Sequence, residues 1–255
     1  MANLEKLINN KTINIIPVAG KGLRFKEAGF KTHKSLLKYK GKPVFIQSAK
    51  SLPKAKLNIF ILKKRNKNEY SAQLSEIKKN FKFNSKVITL QNETRGQADT
   101  IYKIKRFIPK NSIINIASSD TICKFNQRKY YQMIKSHDAL VWSSKPSAFQ
   151  IKNLDQFGTI FKKRDKLFIY CKKKIKNKNI SIVTGFFSFK SRDNIFNIIK
   201  SARKNKKYFI NNEIYLDTIF QIFSKRYNDK IGILFISKMI SFGTPDEFIK
   251  NKSIT

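Results

Sequence analysis

The chain has 255 residues, 41% of them hydrophobic and 13% aromatic, enough apolar material for a large folded domain with a substantial core, which excludes a disordered polypeptide. Its formal charge of +38, from 54 basic and 16 acidic residues, favours anionic partners. Only 9 of the basic residues are Arg, and the Lys is spread along the whole chain beside abundant Ile, Asn, Phe and Tyr, a mixture that low-GC coding produces; without an RNP-type aromatic motif, zinc-finger spacing or a lone basic tail, no specific nucleic-acid partner is expected.

From the N-terminus, MANLEKLINNKTINIIPVAG has no basic segment followed by an apolar run, and no uncharged apolar stretch approaches the roughly 20 residues that cross a bilayer. No membrane span and a cytoplasmic location are therefore expected. Short apolar runs read as buried strands: INIIPVA (13–19), KLNIFIL (56–62), SKVITL (85–90), SIINIAS (112–118), ALVWSS (139–144) and IGILFI (231–236). Between them KPVFIQSAKSL (42–52), GQADTIYKIKRF (96–107) and FNQRKYYQMIKS (125–136) carry helical spacing. Strand then helix, repeated, predicts an α/β, three-layer Rossmann-like fold with a mostly parallel, mixed central sheet. No repeat or Gly/Pro/Ser-rich linker divides the chain, so residues 1–255 read as one domain. Between 157 and 190 the runs become short and β-like, suiting an insertion beside a site. Cys123 and Cys171 have no metal or redox spacing and receive no role, and His137 and Trp142 are expected to pack.

The loop that follows the first strand, VAGKGLRF, contains the first chemistry. Gly20 and Gly22 allow a tight turn and close approach of the backbone to a ligand, so that N–H groups can meet phosphate oxygens, while Arg24 and Lys34 add charge. The spacing is neither that of a P-loop nor the three-glycine dinucleotide fingerprint, and a plain structural turn is the alternative.

The order of the blocks extends this reading. PVAGKGLRF with KTHKSLLKYKGKPVF, then TRGQADTIY (94–102), INIASSDT (114–121), DQFGTI (155–160), IVTGFFSFKS (182–191) and SFGTPDEF (241–248) together resemble the signature of the sugar-phosphate nucleotidylyltransferases, closest to the small nucleotidyltransferases of surface-polysaccharide synthesis. The resemblance implies a GT-A-like fold and an enzyme that joins an NTP to a sugar 1-phosphate and releases pyrophosphate. It implies that Val18, Ala19, Gly20, Lys21 and Gly22 cradle the nucleotide, with Gln91, Gly96 and Gln97 on the base side. Arg24 would hold the triphosphate and Lys34 would bridge the two phosphates at the reacting centre. Asp120 would hold Mg²⁺, and Gly158, Lys173, Thr184 and Gly185 would line the sugar side.

Each assignment has an ordinary alternative. Arg24 and Lys34 are two among many cations; Asp120 suits a cap for a helix starting near Phe125; Gly96 suits a left-handed turn before a helix; Gly158, Thr184 and Gly185 suit a bulge or turn. The pattern also departs from the family. Leu23 stands where Ser or Thr is usual, and His33 replaces a Pro, which should loosen the turn before Lys34. YCKKKI offers Lys172 or Lys173 but no acid, and Ser241 takes the place of a second metal-binding Asp. Asp217 could substitute only if it folds over the same strand ends, and a helical surface Asp is the simpler reading. These gaps leave open a cytidylyltransferase for an alditol or choline phosphate, a non-catalytic nucleotide- or sugar-binding relative, a nucleic-acid-binding protein and a glycosyltransferase.

Overall fold

The computed structural model describes residues 2–163, 166–171, 179–227 and 230–252. In chain order the elements are α1 (Ala2–Lys11), β1 (Thr12–Pro17), α2 (Leu23–Glu27), the short strands β2 (Lys38–Tyr39) and β3 (Lys42–Pro43), α3 (Val44–Lys50), β4 (Leu57–Lys63), α4 (Lys67–Asn80) and β5 (Ser85–Leu90). There follow α5 (Gln97–Lys103), β6 (Ile113–Ile116), β7 (Thr121–Lys124), α6 (Gln127–Ser136), β8 (Ala139–Ser144), α7 (Ala148–Lys152), β9 (Gly158–Lys163) and β10 (Lys166–Cys171). The chain closes with β11 (Ser181–Phe189), α8 (Arg192–Arg203), α9 (Leu216–Arg226), β12 (Ile231–Phe235), β13 (Lys238–Ser241) and α10 (Pro245–Lys252). The fold is α/β and Rossmann-like with a mixed sheet, as the strand–helix alternation predicts, and the six runs read as strands correspond to β1, β4, β5, β6, β8 and β12.

Two compact units form. The first comprises residues 1–93, 115–124 and 238–255. Its strands β1, β4 and β5 pair in parallel in that order, Asn14 opposite Asn58 and Phe60 opposite Val87. All six residues of β1 are buried, the signature of a strand covered on both faces. The parallel ladder brings three buried asparagines into line. Asn14 Nδ2 donates to Asn58 Oδ1 at 3.0 Å and to the Pro53 carbonyl at 2.9 Å, while Asn115 Nδ2 donates to Asn14 Oδ1 at 3.1 Å. Buried amides are tolerated here because they satisfy one another. A separate aromatic cluster of Phe25, Phe242 and Phe248, with Phe30 and Tyr39 packed against it, fixes α2 and α10 beside β13.

The second unit comprises residues 94–114 and 125–237. Here β8 pairs antiparallel with β11 and parallel with β12, and the 157–190 region supplies β9, β10 and β11, with β9 antiparallel to both of the others. Trp142 is fully buried and donates its Nε1–H to Ser188 Oγ at 3.0 Å; Phe187, Phe189, Phe220 and Phe223 pack in a run between β11 and α9. His137 ends α6, its Nδ1 3.0 Å from the Met133 carbonyl. Cys171, on β10, is buried.

The asparagine row makes a prediction about stability. Replacing Asn14 with Ala removes a donor and an acceptor at once and takes one hydrogen bond from each of the buried Asn58 and Asn115 side chains, so unfolding in urea should show a loss of about 2 kcal/mol. A midpoint unchanged from the wild type would mean that the row contributes nothing.

Candidate active site

The glycine loop leaves the carboxyl end of β1, where loops of parallel α/β sheets meet ligands. Val18 is buried and donates its N–H to the Ile61 carbonyl at 2.8 Å, which anchors the loop's start to β4. Two carbonyls beyond it are then captured from behind. Arg65, just past β4, donates from Nη2 to the Ala19 carbonyl at 2.8 Å and from Nη1 to the Gly20 carbonyl at 3.4 Å. Glu93, just past β5, holds that guanidinium with Oε2 at 2.9 Å from Nη2 and Oε1 at 3.3 Å from Nε. The Arg65 hydrogen bond, reinforced by the guanidinium charge and by Lys63 and Lys21, holds the Glu93 carboxyl below the usual range against the opposing effect of burial. From the other side His33 Nε2 lies 3.0 Å from the Gly20 carbonyl.

In a trans peptide the N–H points opposite to the C=O. Holding the Ala19 and Gly20 carbonyls therefore turns the Gly20 and Lys21 N–H groups the other way, and among the described residues the N–H groups of Ala19, Gly20, Lys21 and Gly22 have no acceptor. Gly22, at φ 67°, takes the left-handed conformation that lets the loop turn into α2. Gly20 is different: its φ is not positive, and a Cβ there would meet only Lys34 Cε at 3.7 Å, an ordinary contact. Arg24 lies in α2 with its side chain exposed and no ion pair among the described residues.

Lys34 and Asp120, far apart in the chain, meet: Lys34 Nζ donates to Asp120 Oδ2 at 2.8 Å. Asp120 sits in the turn between β6 and β7 and caps no helix, because α6 is capped by Asn126, whose side chain accepts from the Lys129 N–H at 3.0 Å. Burial pushes the Asp120 carboxyl up, but the charge and hydrogen bond of Lys34 outweigh it and hold the group below its ordinary value. The turn carrying Lys34 is tied, not loosened as the loss of Pro suggested. His33 has φ −58° and ψ 139°, within proline's own range of φ, and its Nδ1 accepts from the Ser35 N–H at 3.3 Å.

Ser241 stands opposite Thr121 where β13 pairs with β7, and the next residue, Phe242, donates its N–H to the Asp120 carbonyl at 2.7 Å. The acid missing at 241 is matched by one further along the chain. Glu247 is buried, and its Oε2 accepts from the Gly243 N–H at 3.1 Å, the Thr244 N–H at 3.2 Å and the Thr244 hydroxyl at 3.4 Å. Thr244 and Glu247 form a capping box at the start of α10, a signal readable in the sequence as Thr-x-x-Glu. Burial raises the Glu247 carboxyl; the Ser241 hydroxyl opposes this and the negative charge of Asp120 adds to it.

The remaining candidates divide between the units. Gln91 follows β5 in the first, exposed, its carbonyl accepting from Lys63 Nζ. Gly96 and Gln97 open α5 in the second. Gly96, at φ 88° and ψ −178°, is extended with positive φ and not the left-handed turn considered above; a Cβ there would lie 2.8 Å from the Ile214 carbonyl oxygen and 2.9 Å from its nitrogen. Close packing of that backbone is sufficient reason for the glycine. Gly158 opens β9, where a Cβ would lie 2.5 Å from Asp217 Oδ2; Asp217 is in the first turn of α9 but half-buried, so it is not a surface acid. Thr184 donates to the Trp142 carbonyl at 3.2 Å, and Gly185, at φ 79°, lies where the β11–β8 register shifts between Val183 and Phe187. Both are part of a bulge. Lys173 lies outside the described residues. Arg65, Glu93 and Glu247 carry no role in the sequence reading: Arg65 and Glu93 gain theirs only from partners supplied by other loops, whereas Glu247 had the local Thr-x-x-Glu signal.

The raised Glu247 carboxyl has a consequence for stability. A folded-state pKa above the unfolded value of about 4.3 means that the native state binds the proton more tightly; this favours folding most below the unfolded value and is lost as pH rises through the folded one. Glu247→Gln does not titrate, so its stability relative to the wild type should increase as pH rises from below about 4.3 through the raised folded value. Thermal melts of both proteins across that range check this, and a difference independent of pH would refute it.

The model of the nucleotidyl transferase family matches residues 13–230. No curated protein matches the chain. Among solved structures, a nucleoside-diphosphate-sugar pyrophosphorylase from Vibrio cholerae RC9 is 17% identical with a TM-score of 0.72, covering 94% of this chain and 99% of its own. A UDP-glucose pyrophosphorylase complexed with UDP-glucose is 15% identical with a TM-score of 0.71, covering 95% and 97%. The inositol-1-phosphate CTP transferase from T. maritima is 11% identical with a TM-score of 0.67, covering 96% of each chain. At these identities the likeness is one of fold. The family match spans most of the sequence, from β1 through the loop, Lys34 and Asp120 to α9, and the chain belongs to the nucleotidyl transferase family.

Proposed function

We propose that this protein transfers a nucleotidyl group from an NTP to a sugar 1-phosphate, forming an NDP-sugar and pyrophosphate, with its product used in surface-polysaccharide synthesis in the cytoplasm. The observation that carries the reading is the glycine loop, whose carbonyls are held from behind while four successive N–H groups lack an acceptor among the described residues, beside the Lys34–Asp120 pair. Such an arrangement suits the phosphates of a nucleotide. Among the described residues no helix is long and apolar enough to cross a membrane.

In the proposed reaction an oxygen of the sugar phosphate attacks the α-phosphorus, a new P–O bond forms, and the bond to the β-phosphate oxygen breaks with its electron pair leaving on pyrophosphate. A phosphate monoester is largely ionised at neutral pH, so no protein base is required and the work is positioning and charge neutralisation. Loop amides and Arg24 hold the triphosphate, and Arg24 stabilises the leaving pyrophosphate. Lys34, kept in place by Asp120, meets the charge that develops between the two phosphates. Gln91, Gly96 and Gln97 are assigned to the base side. Gly158, Thr184 and Gly185 are assigned to the sugar through their backbone, since the Thr184 hydroxyl is already engaged. We assign the whole of residues 1–255 to one nucleotidyltransferase domain.

Among the described residues no group of three or more His, Cys, Asp and Glu could hold a metal ion. One hard oxygen donor, the Asp120 carboxylate, does fit Mg²⁺, which needs few protein ligands when phosphates supply the rest. When bound, Mg²⁺ would neutralise phosphate charge. Calorimetry should therefore show weak Mg²⁺ binding to the free protein and much stronger binding with NTP present, and Ser241→Asp should strengthen the former. Tight binding by the free wild-type protein would overturn this assignment.

A pyrophosphate-release screen of the four NTPs against sugar, alditol, inositol and choline phosphates tests the function. Turnover restricted to a non-sugar phosphate would move the protein to the cytidylyltransferase reading if CTP is the donor, and no turnover with any pair would favour a binding relative. Within the active pair, Lys34→Ala should lower kcat by about 100-fold or more. A change confined to KM would remove Lys34 from the reacting centre. Gly20→Ala should leave the melting temperature nearly unchanged, because the chain itself leaves room for a Cβ, yet weaken NTP binding about tenfold or more. Unaltered NTP affinity would show that the loop does not approach the phosphates.

A further inference from the structure

His33 is placed to join the glycine loop to the turn that carries Lys34. Its Nε2 lies 3.0 Å from the Gly20 carbonyl, and its Nδ1 lies 2.9 Å from Ser35 Oγ and 3.3 Å from the Ser35 nitrogen. A carbonyl oxygen can only accept, so Nε2 carries the hydrogen and Nδ1 is the acceptor. The outer end of the chain of bonds agrees with this direction: Gln73 of α4 donates its Nε2–H to Ser35 Oγ at 2.9 Å, leaving the Ser35 hydroxyl hydrogen for His33 Nδ1. The bonds thus run from Gln73 to Ser35 to His33 to Gly20, each with one direction. The ring also lies against the loop, since a Cβ at Gly22 would be 3.4 Å from Nε2.

We propose that His33 is a positioning residue: by holding the Gly20 carbonyl from the Lys34 turn, it aims the loop N–H groups at phosphate and keeps them in register with the Lys34 ammonium. The proposal rests on the phosphate-binding reading of the loop. Proline at this position would give the same backbone bend but could not form the bridge, so the bend and the bridge are separable. Only the neutral ring completes the circuit, because a proton on Nδ1 would face the Ser35 N–H, a second donor. Burial lowers the His33 pKa, with repulsion from Lys34 of the same turn and Arg65 beyond β4 adding to this, while the Gly20 bond and Glu69 of α4 act in the opposite direction. The ring is neutral at physiological pH; as pH falls through the lowered folded value the Ser35 end of the bridge, which needs Nδ1 as an acceptor, is lost, while the Nε2–H bond to Gly20 is kept.

The test is calorimetric titration with inorganic pyrophosphate, which needs neither the base nor the sugar to be known, on wild type, His33→Ala, His33→Pro and His33→Gln, with thermal melts to confirm folding. His33→Pro should melt near the wild-type temperature yet bind pyrophosphate about tenfold more weakly. His33→Gln, whose amide can donate to the Gly20 carbonyl, should restore affinity at about pH 8 to near that of the wild type. Wild-type affinity in both His33→Ala and His33→Pro, or no recovery in His33→Gln, would overturn the role of His33 alone. Failure of the wild type to bind pyrophosphate or any NTP would overturn the phosphate reading of the loop, and this proposal with it.

Discussion

Two carbonyl groups determine which way the glycine loop faces. A peptide plane cannot turn its oxygen without turning its N–H, so the donors that reach the Ala19 and Gly20 oxygens also decide where the following amides point. Those donors come from two places in the chain, the turn before Lys34 and the end of β4, and the second is held by Glu93 at the end of β5. The parallel order of β1, β4 and β5 brings the latter two to the same end of the sheet as the loop. Asparagines 14, 58 and 115 occupy the same ladder within the core, so strand register and loop orientation are parts of one arrangement.

Charge is used selectively in this lysine-rich chain. Of 54 basic residues 9 are Arg, leaving 45 Lys, and several of the Arg sit where a planar fork is required. Arg65 bonds a carboxylate and two carbonyls at once. Arg203 lies 2.7 Å from Asp99 and stacks over Tyr102 at 4.4 Å, and Arg95 lies over Phe209 at 4.9 Å. A lysine ammonium suffices where a point charge meets a single carboxylate oxygen, as at Asp120. The large positive charge is otherwise a matter of surface composition and carries no argument for nucleic acid.

Around β13 the capping box does more than start a helix. Glu247 gathers the Gly243 and Thr244 amides, so a carboxylate is retained close in the chain to the position where the family pattern has an Asp. Two acids in this neighbourhood are pushed in opposite directions: Lys34 outweighs burial to hold Asp120 down, whereas burial pushes Glu247 up and the charge of Asp120 adds to it. Only the first is matched by a cation, which leaves Asp120 ionised and suited to a hard ion or an ammonium.

Strand and helix periods, the two glycines after the first strand and the order of the blocks are local properties, and for that reason the sequence alone determined the Rossmann-like α/β fold, the family resemblance and the candidates Lys34 and Asp120. Gly96, Arg65 and His33 show where that reasoning stops. The glycine at 96 fits the backbone of Ile214, Arg65 acquires its direction from Glu93, and His33 stiffens a turn that the loss of proline should have loosened. Their meaning depends on which segments approach within a few ångströms, and hydrogen bonds and steric contact act only at that range. Side-chain type and spacing encode burial and turning along the chain, whereas the pairing of donors with distant acceptors was decided only when the parallel strands brought their ends together.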